Sequence, residues 1–149
     1  MNNRDIKPAQ TANQDTLLTL HETLSLDWQR IMDRSQNDKT HQERVFRKFI
    51  QLVESSHQLH RSPKFYADKL GMTKSNLRKI CQQEIGVAPS HCIHARLMLE
   101  ACVYLKGPKA IKEIASELAF EDPSHFSKFF KSQCGLPPDS YRKFTSKNP

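Results

Sequence analysis

The stretch "ASELAFEDPSHFSKFFKSQCGLPP", Ala115 to Pro138, repeats the frame of an earlier one, "ADKLGMTKSNLRKICQQEIGVAP", Ala67 to Pro89. Ala67, Leu70, Gly71, Leu77, Gly86 and Pro89 fall on Ala115, Leu118, Ala119, Phe126, Gly135 and Pro138. The offset is 48 residues up to the Gly71/Ala119 position and 49 from Leu77/Phe126 onward, so one extra residue sits between the two halves of the second copy. Such self-similarity points to two copies of one supersecondary unit. In each copy a short helical segment, a tight turn and a longer helical segment follow one another, which is the outline of a helix-turn-helix.

The side chains fit that packing. Ala67 and Ala115 sit where two crossing helices approach most closely, and a larger residue there would push them apart. Gly71 supplies a left-handed turn conformation at no steric cost. Leu77, Ile80 and Cys81 in the first copy, with Phe126, Phe129 and Phe130 in the second, mark the buried face of the longer helix. The opposite face then meets solvent, and it carries Ser75, Asn76, Arg78 and Lys79 in the first copy and Ser124, His125, Ser127, Lys128 and Lys131 in the second. These are donors that reach base edges and phosphates, on an element narrow enough to enter a major groove. Helix N-termini beside capping residues add positive dipole ends suited to phosphate. On one isolated helix such a face would be an ordinary solvated surface; two copies of the same polarity favour the functional reading.

Working outward, residues 1–13 lack periodicity and read as a disordered tail. Leu17, Leu20, Leu24, Trp28 and Ile31 recur at spacings of three and four, which predicts an amphipathic helix over 14–33. Residues 34–42 carry no apolar side chain and read as a linker and domain boundary. From 43, Val45, Phe46, Phe49, Ile50, Leu52 and Val53 give a helix that fades in "SSHQLHR". Ser62 caps a short helix with Pro63 at its first position, and Thr73 caps the next, which Gly86 ends. Pro89 opens a long connecting helix to about 106, and Ile111, Ile114, Ala115 and Leu118 mark another short one. Asp122 caps the partner helix of the second copy, Gly135 closes it, and "PPDSYRKF" supplies a last short helix. No hairpin signal survives, so the chain is all-α. The first helix-turn-helix is expected at about 62–86, the connecting helix at about 89–106 and the second helix-turn-helix at about 111–135, within a domain over 43–147.

Of the 149 residues, the first forty hold five Lys/Arg against six Asp/Glu, and residues 41–149 hold eighteen against ten. The basic excess therefore lies where the repeat lies, and an anionic partner, nucleic acid above all, is expected. No apolar run is long enough to span a membrane and the N-terminus shows no cleavage signal, so no membrane partner and a cytoplasmic location are expected. Cys81, Cys92, Cys102 and Cys134 are irregularly spaced and read as core residues rather than as a disulfide framework.

The segment "IKEIASELAFEDPSHFSKFFKSQCGLPPDSYRKF", Ile111 to Phe144, resembles the signature of the AraC/XylS family of bacterial transcription regulators, in the order I-x-x-I-A, F, FS, FFK, G, P, YR. The resemblance covers roughly residues 43 to 145. It implies a homeodomain-like fold of two helix-turn-helix units joined by a long helix, whose two recognition helices enter successive major-groove segments about one helical turn, ~34 Å, apart. It also implies a double-stranded promoter DNA partner, with RNA polymerase and a second copy of the chain, docked through residues 14–33, as further candidates. Carried over by position, the base-facing residues are Ser75, Asn76, Arg78 and Lys79 in the first unit and Ser124, His125, Ser127 and Lys128 in the second. Arg78 stands out, because a guanidinium can bond a guanine edge in bidentate fashion.

Two departures from the family pattern bear on this. The turn glycine that usually precedes the Phe is Ala119 here, and a Cβ in a left-handed conformation costs on the order of 1 kcal/mol. Family members commonly carry an N-terminal effector-binding β-barrel, which forty residues cannot build. The chain is then either an effector-free member or a fragment of a longer one, with no small-molecule effector site of its own. The 14–33 stripe is either a remnant of a dimerisation region or a face that packs on the chain's own core.

Other function classes have less support. His91, Cys92 and His94 in "HCIH", with His57 and His60, invite a metal or redox reading, yet Cys92 and Ile93 read as core positions and no second ligand pair has zinc-site spacing. No metal and no cofactor are expected. No Gly-rich phosphate loop, carboxylate cluster or nucleophile motif appears, so no catalytic residue is assigned and an enzyme is not expected. A protein-interaction module that uses the N-terminal helix without specific DNA binding is the remaining alternative, and it predicts no salt-sensitive DNA binding.

Overall fold

The computed structural model describes the backbone of residues 14–147 and the side chains of residues 20–146, so the reading of residues 1–13 as a tail lies outside the described residues. Those residues form eight α-helices and no strand: α1 (Gln14–Arg34), α2 (His41–Ser56), α3 (Pro63–Lys69), α4 (Lys74–Ile85), α5 (Pro89–Lys106), α6 (Ile111–Glu117), α7 (Pro123–Cys134) and α8 (Pro138–Lys147). Residues 25–97 form one compact unit, and residues from Met98 on, with the first part of α1, form another. No helix among the described residues is long and apolar enough to cross a membrane.

In the first unit the apolar stripe of α2, Val45, Phe46, Phe49, Ile50 and Val53, is buried, and α2 packs on both α3 and α4. Tyr66 of α3 sits edge-on to the Phe49 ring at 5.6 Å between centroids and donates its hydroxyl to the His60 carbonyl at 2.8 Å, so that a fully buried phenol keeps its hydrogen bond. Leu77 and Cys81 of α4 and Cys92, Ile93 and Leu97 of α5 complete the core. Trp28 and Ile31 of α1 are buried in the chain itself. α1 runs through Arg34 and α2 starts at His41; Ser35, in the connection, is buried and donates its hydroxyl to the Met32 carbonyl at 2.7 Å. α2 continues one turn into the stretch where the apolar pattern fades, and His57 closes it through its N–H to the Val53 carbonyl.

The second unit is built on phenylalanine. Phe126 and Phe130 of α7 are fully buried, and Phe120 of the preceding turn lies 5.4 Å from Phe126 and 5.5 Å from Phe129. Phe130 meets Tyr141 of α8 edge-on at 5.5 Å. Burying one such ring stabilises the fold by roughly 1.5–3 kcal/mol. Met98, Ala101, Cys102 and Leu105 of α5, with Ile114, Ala115 and Leu118, close the core.

The two copies of the repeat use the same backbone bonds. The Met72 N–H donates to the Ala67 carbonyl at 3.0 Å, and the Phe120 N–H to the Ala115 carbonyl at 2.9 Å. Both alanines are buried, as the close helix approach requires. The extra residue of the second copy lies in its turn: two residues separate Ala119 from the cap Asp122, and one separates Gly71 from the cap Thr73.

Candidate nucleic-acid interface

The amphipathic division of α4 fixes which side chains reach solvent. Thr73 caps it, its hydroxyl accepting the Asn76 N–H at 3.1 Å, and Gly86 ends it in the left-handed conformation. With Leu77 and Cys81 at zero exposure, the 3.6-residue period turns Ser75, Asn76, Arg78 and Lys79 outward, and all four are exposed. Their side chains make no hydrogen bond or ion pair among the described residues. Lys74 stands beside them in the first turn, so the face carries three cations, and no acidic residue lies in that turn. A cleft of about 300 Å³ opens along this end of the helix, lined by Lys74, Ser75 and Arg78 on one side and by Pro63, Ala88, Pro89 and Ser90 on the other.

The face of α7 is differently furnished. Ser124, His125 and Lys128 are exposed, whereas Ser127 is half-buried. Asp122 caps the helix, and its carboxylate accepts the His125 N–H and the Ser124 hydroxyl, each at 3.0 Å. Those bonds hold the Asp122 carboxyl below its ordinary pKa. The His125 ring lies 3.5 Å from the Glu121 carboxylate and 3.9 Å from that of Asp122. Two carboxylates, Glu121 and Asp122, thus stand just before the helix that carries Lys128 and Lys131, and the two faces differ in charge as well as in residue type.

Lys74 and the clasp around the C-terminal end of α4 escaped the sequence reading. Lys74 follows directly on the predicted cap, a position where the helix N-terminus points, so a signal for it was present. The clasp joins Arg30 and Arg34 to Glu84 and Ile85 across fifty or more residues of chain, and no local pattern announces it. Within "HCIH", Cys92 is buried and His91 Nε2 lies 2.8 Å from the Asp27 carboxylate.

Residues 66–143 match the helix-turn-helix domain family. An uncharacterized HTH-type transcriptional regulator of Haemophilus influenzae is 32% identical over 81 residues, 54% of this chain and 27% of that protein. The HTH-type transcriptional regulator MtrA of Neisseria gonorrhoeae is 32% identical over 73 residues, 48% of this chain and 24% of that protein. The chain therefore spans only about a quarter of the length of these curated relatives. Among solved structures, the C-terminal domain of the two-component response regulator yesN of Fusobacterium nucleatum superposes with a TM-score of 0.58 at 23% identity, covering 64% of this chain and 96% of that one. At that identity the likeness is one of fold.

Proposed function

The chain belongs to the AraC-type helix-turn-helix family, and we propose that it binds double-stranded promoter DNA in a sequence-specific manner and so regulates transcription. In this reading α4 and α7 are the two elements that enter the major groove, each reading one block of the site. The observation that carries the reading is the exposed, unengaged row Ser75, Asn76, Arg78 and Lys79 opposite the buried Leu77 and Cys81. Arg78 donates in bidentate fashion to a guanine edge, a contact worth about 1–3 kcal/mol of discrimination, and Asn76 suits an adenine edge. Lys79, with Lys74 beside it, neutralises phosphate. In this reading the exposed Lys128 and the half-buried Ser127 serve the second block, while Ser124 and His125 act from within the Asp122 cap. Contact with RNA polymerase would follow from regulation at a promoter. A homodimer through residues 14–33 has less apolar surface to use than the bare stripe suggests, because Trp28 and Ile31 are occupied in the chain's own core.

Selection of binding sites from random duplex DNA, followed by titration of the selected site at several salt concentrations, tests the reading. A two-block site is expected, with affinity that falls steeply as salt rises and with relaxed specificity in one block for Arg78→Ala. Absence of any enriched sequence, or weak binding that Arg78→Ala leaves unchanged, would overturn it in favour of a protein-interaction module.

A further inference from the structure

The C-terminal end of α4 is held from outside. Its last turn, Gln82 to Ile85, contains an acid, Glu84, and no base, which is the wrong sign for the negative end of a helix dipole. The Gly86 N–H takes up the carbonyls of Cys81 and Gln82, and the carbonyls after them need other donors. Two come from α1. Arg34 donates through Nε to the Glu84 carbonyl at 3.0 Å and through Nη2 to the Glu84 carboxylate at 3.2 Å, a side chain only 5% exposed. Arg30 donates through Nη1 to the Ile85 carbonyl at 3.4 Å.

The same helix face anchors this clasp. Asp27, Arg30 and Arg34 follow one another at i, i+3 and i+7, and beside them Trp28, Ile31 and Ser35 form a parallel buried stripe. Asp27 holds Arg30 at 3.3 Å and also pairs with His91, in the first turn of α5, at 2.8 Å. By contrast α7 carries its own base, Lys131, in its last turn. The residues of α1 lie outside the 66–143 segment that matches the family.

We propose that the second half of α1 is a clamp on the helix that reads DNA, with Arg30 and Arg34 as positioning residues that set how α4 presents Arg78 and its neighbours. The proposal rests on the reading of α4 as a DNA reader. A contact that merely stabilised the fold would alter how much protein is active; a clamp on the reader alters which bases are preferred.

The test uses the full chain and two variants, Arg30→Ala and Arg34→Lys. The second keeps a cation beside the buried Glu84 carboxylate and so avoids the unfolding that an unpaired buried charge invites. Amide hydrogen exchange of the free protein is read at residues 84–86, and relative affinities are read for site variants altered in the block that Arg78→Ala relaxes and in the other block. Exchange at 84–86 is expected to quicken by roughly tenfold, the scale of one charge-assisted hydrogen bond. Discrimination in the α4 block should fall severalfold, with the other block and the salt slope unchanged. A uniform loss of affinity in both blocks, or unchanged exchange, overturns the proposal. If the wild-type chain shows no sequence preference, the DNA reading itself fails and the positioning role falls with it, while the exchange measurement alone still decides whether α1 clamps α4.

Discussion

Ala119 holds the same left-handed backbone conformation that Gly71 holds at the equivalent turn, with φ of 58° against 68°. The turn geometry has thus been kept where the residue that suits it was not. Of the described residues other than glycine, Ala119 alone has positive φ, so the backbone strain of this fold is concentrated at the turn leading into α7. The Phe120 ring beside it, in contact with Phe126 and Phe129, supplies apolar packing that offsets the cost.

Replacing Ala119 by Gly should therefore stabilise the protein by about 1 kcal/mol, and Gly71→Ala should destabilise it by a similar amount. A Cβ at Gly71 would meet nothing within 4 Å, so its cost is backbone strain without steric clash. Urea unfolding of both variants checks this. A destabilised Ala119→Gly would mean that Ala119 contributes packing that outweighs its strain.

What could be read from the sequence divides by range along the chain. The caps Ser62, Thr73 and Asp122 and the stops Gly71, Gly86 and Gly135 were legible because each acts on residues two to five away. The partition of α4 into Leu77 and Cys81 against Ser75, Asn76, Arg78 and Lys79 was legible for the same reason, since 3.6-residue periodicity is local. Ala119 could be suspected of strain because a glycine is usual at that turn in the family pattern and Gly71 stands at the equivalent position of the repeat. The role of α1 could not be read: the leucine-rich stripe predicts a buried face but not its neighbour, and the Arg34–Glu84 pair joins residues fifty apart that each look like ordinary surface charge. The tie between Ser124, His125 and Asp122 was within reach of the capping rule, which assigned the cap without following where its hydrogen bonds would end.

The four thiols should be inert in the folded protein. Cys81, Cys92 and Cys102 are buried, and burial pushes the Cys92 and Cys102 thiols up to about 12 and Cys81 higher still; the half-buried Cys134 is raised as well. Because the thiolate is the reacting species, a disulfide reagent at about pH 8 should label none of the four quickly, with Cys134 the first to react and all four released together by denaturant. Prompt reaction at Cys81 or Cys92 in the native protein would show that the first unit opens far more readily than its core implies.

Asp122 links the start of α7 to pH. Its folded pKa lies below the ordinary value of 3.8, first because its carboxylate accepts the His125 N–H and then because it accepts the Ser124 hydroxyl. A carboxyl whose folded pKa is depressed contributes stability that is present above the unfolded value and is lost as pH falls through the folded one. Asn caps a helix about as well as Asp and does not titrate, so Asp122→Asn isolates the contribution of this carboxylate. The melting temperature of wild type should exceed that of Asp122→Asn by a constant margin at neutral pH, and the margin should shrink as pH falls below about 4. A margin that stays constant down to pH ~2.5 would mean that the capping bonds do not depend on the charge of Asp122, and that the α7 N-terminus is held by the Phe120 cluster instead.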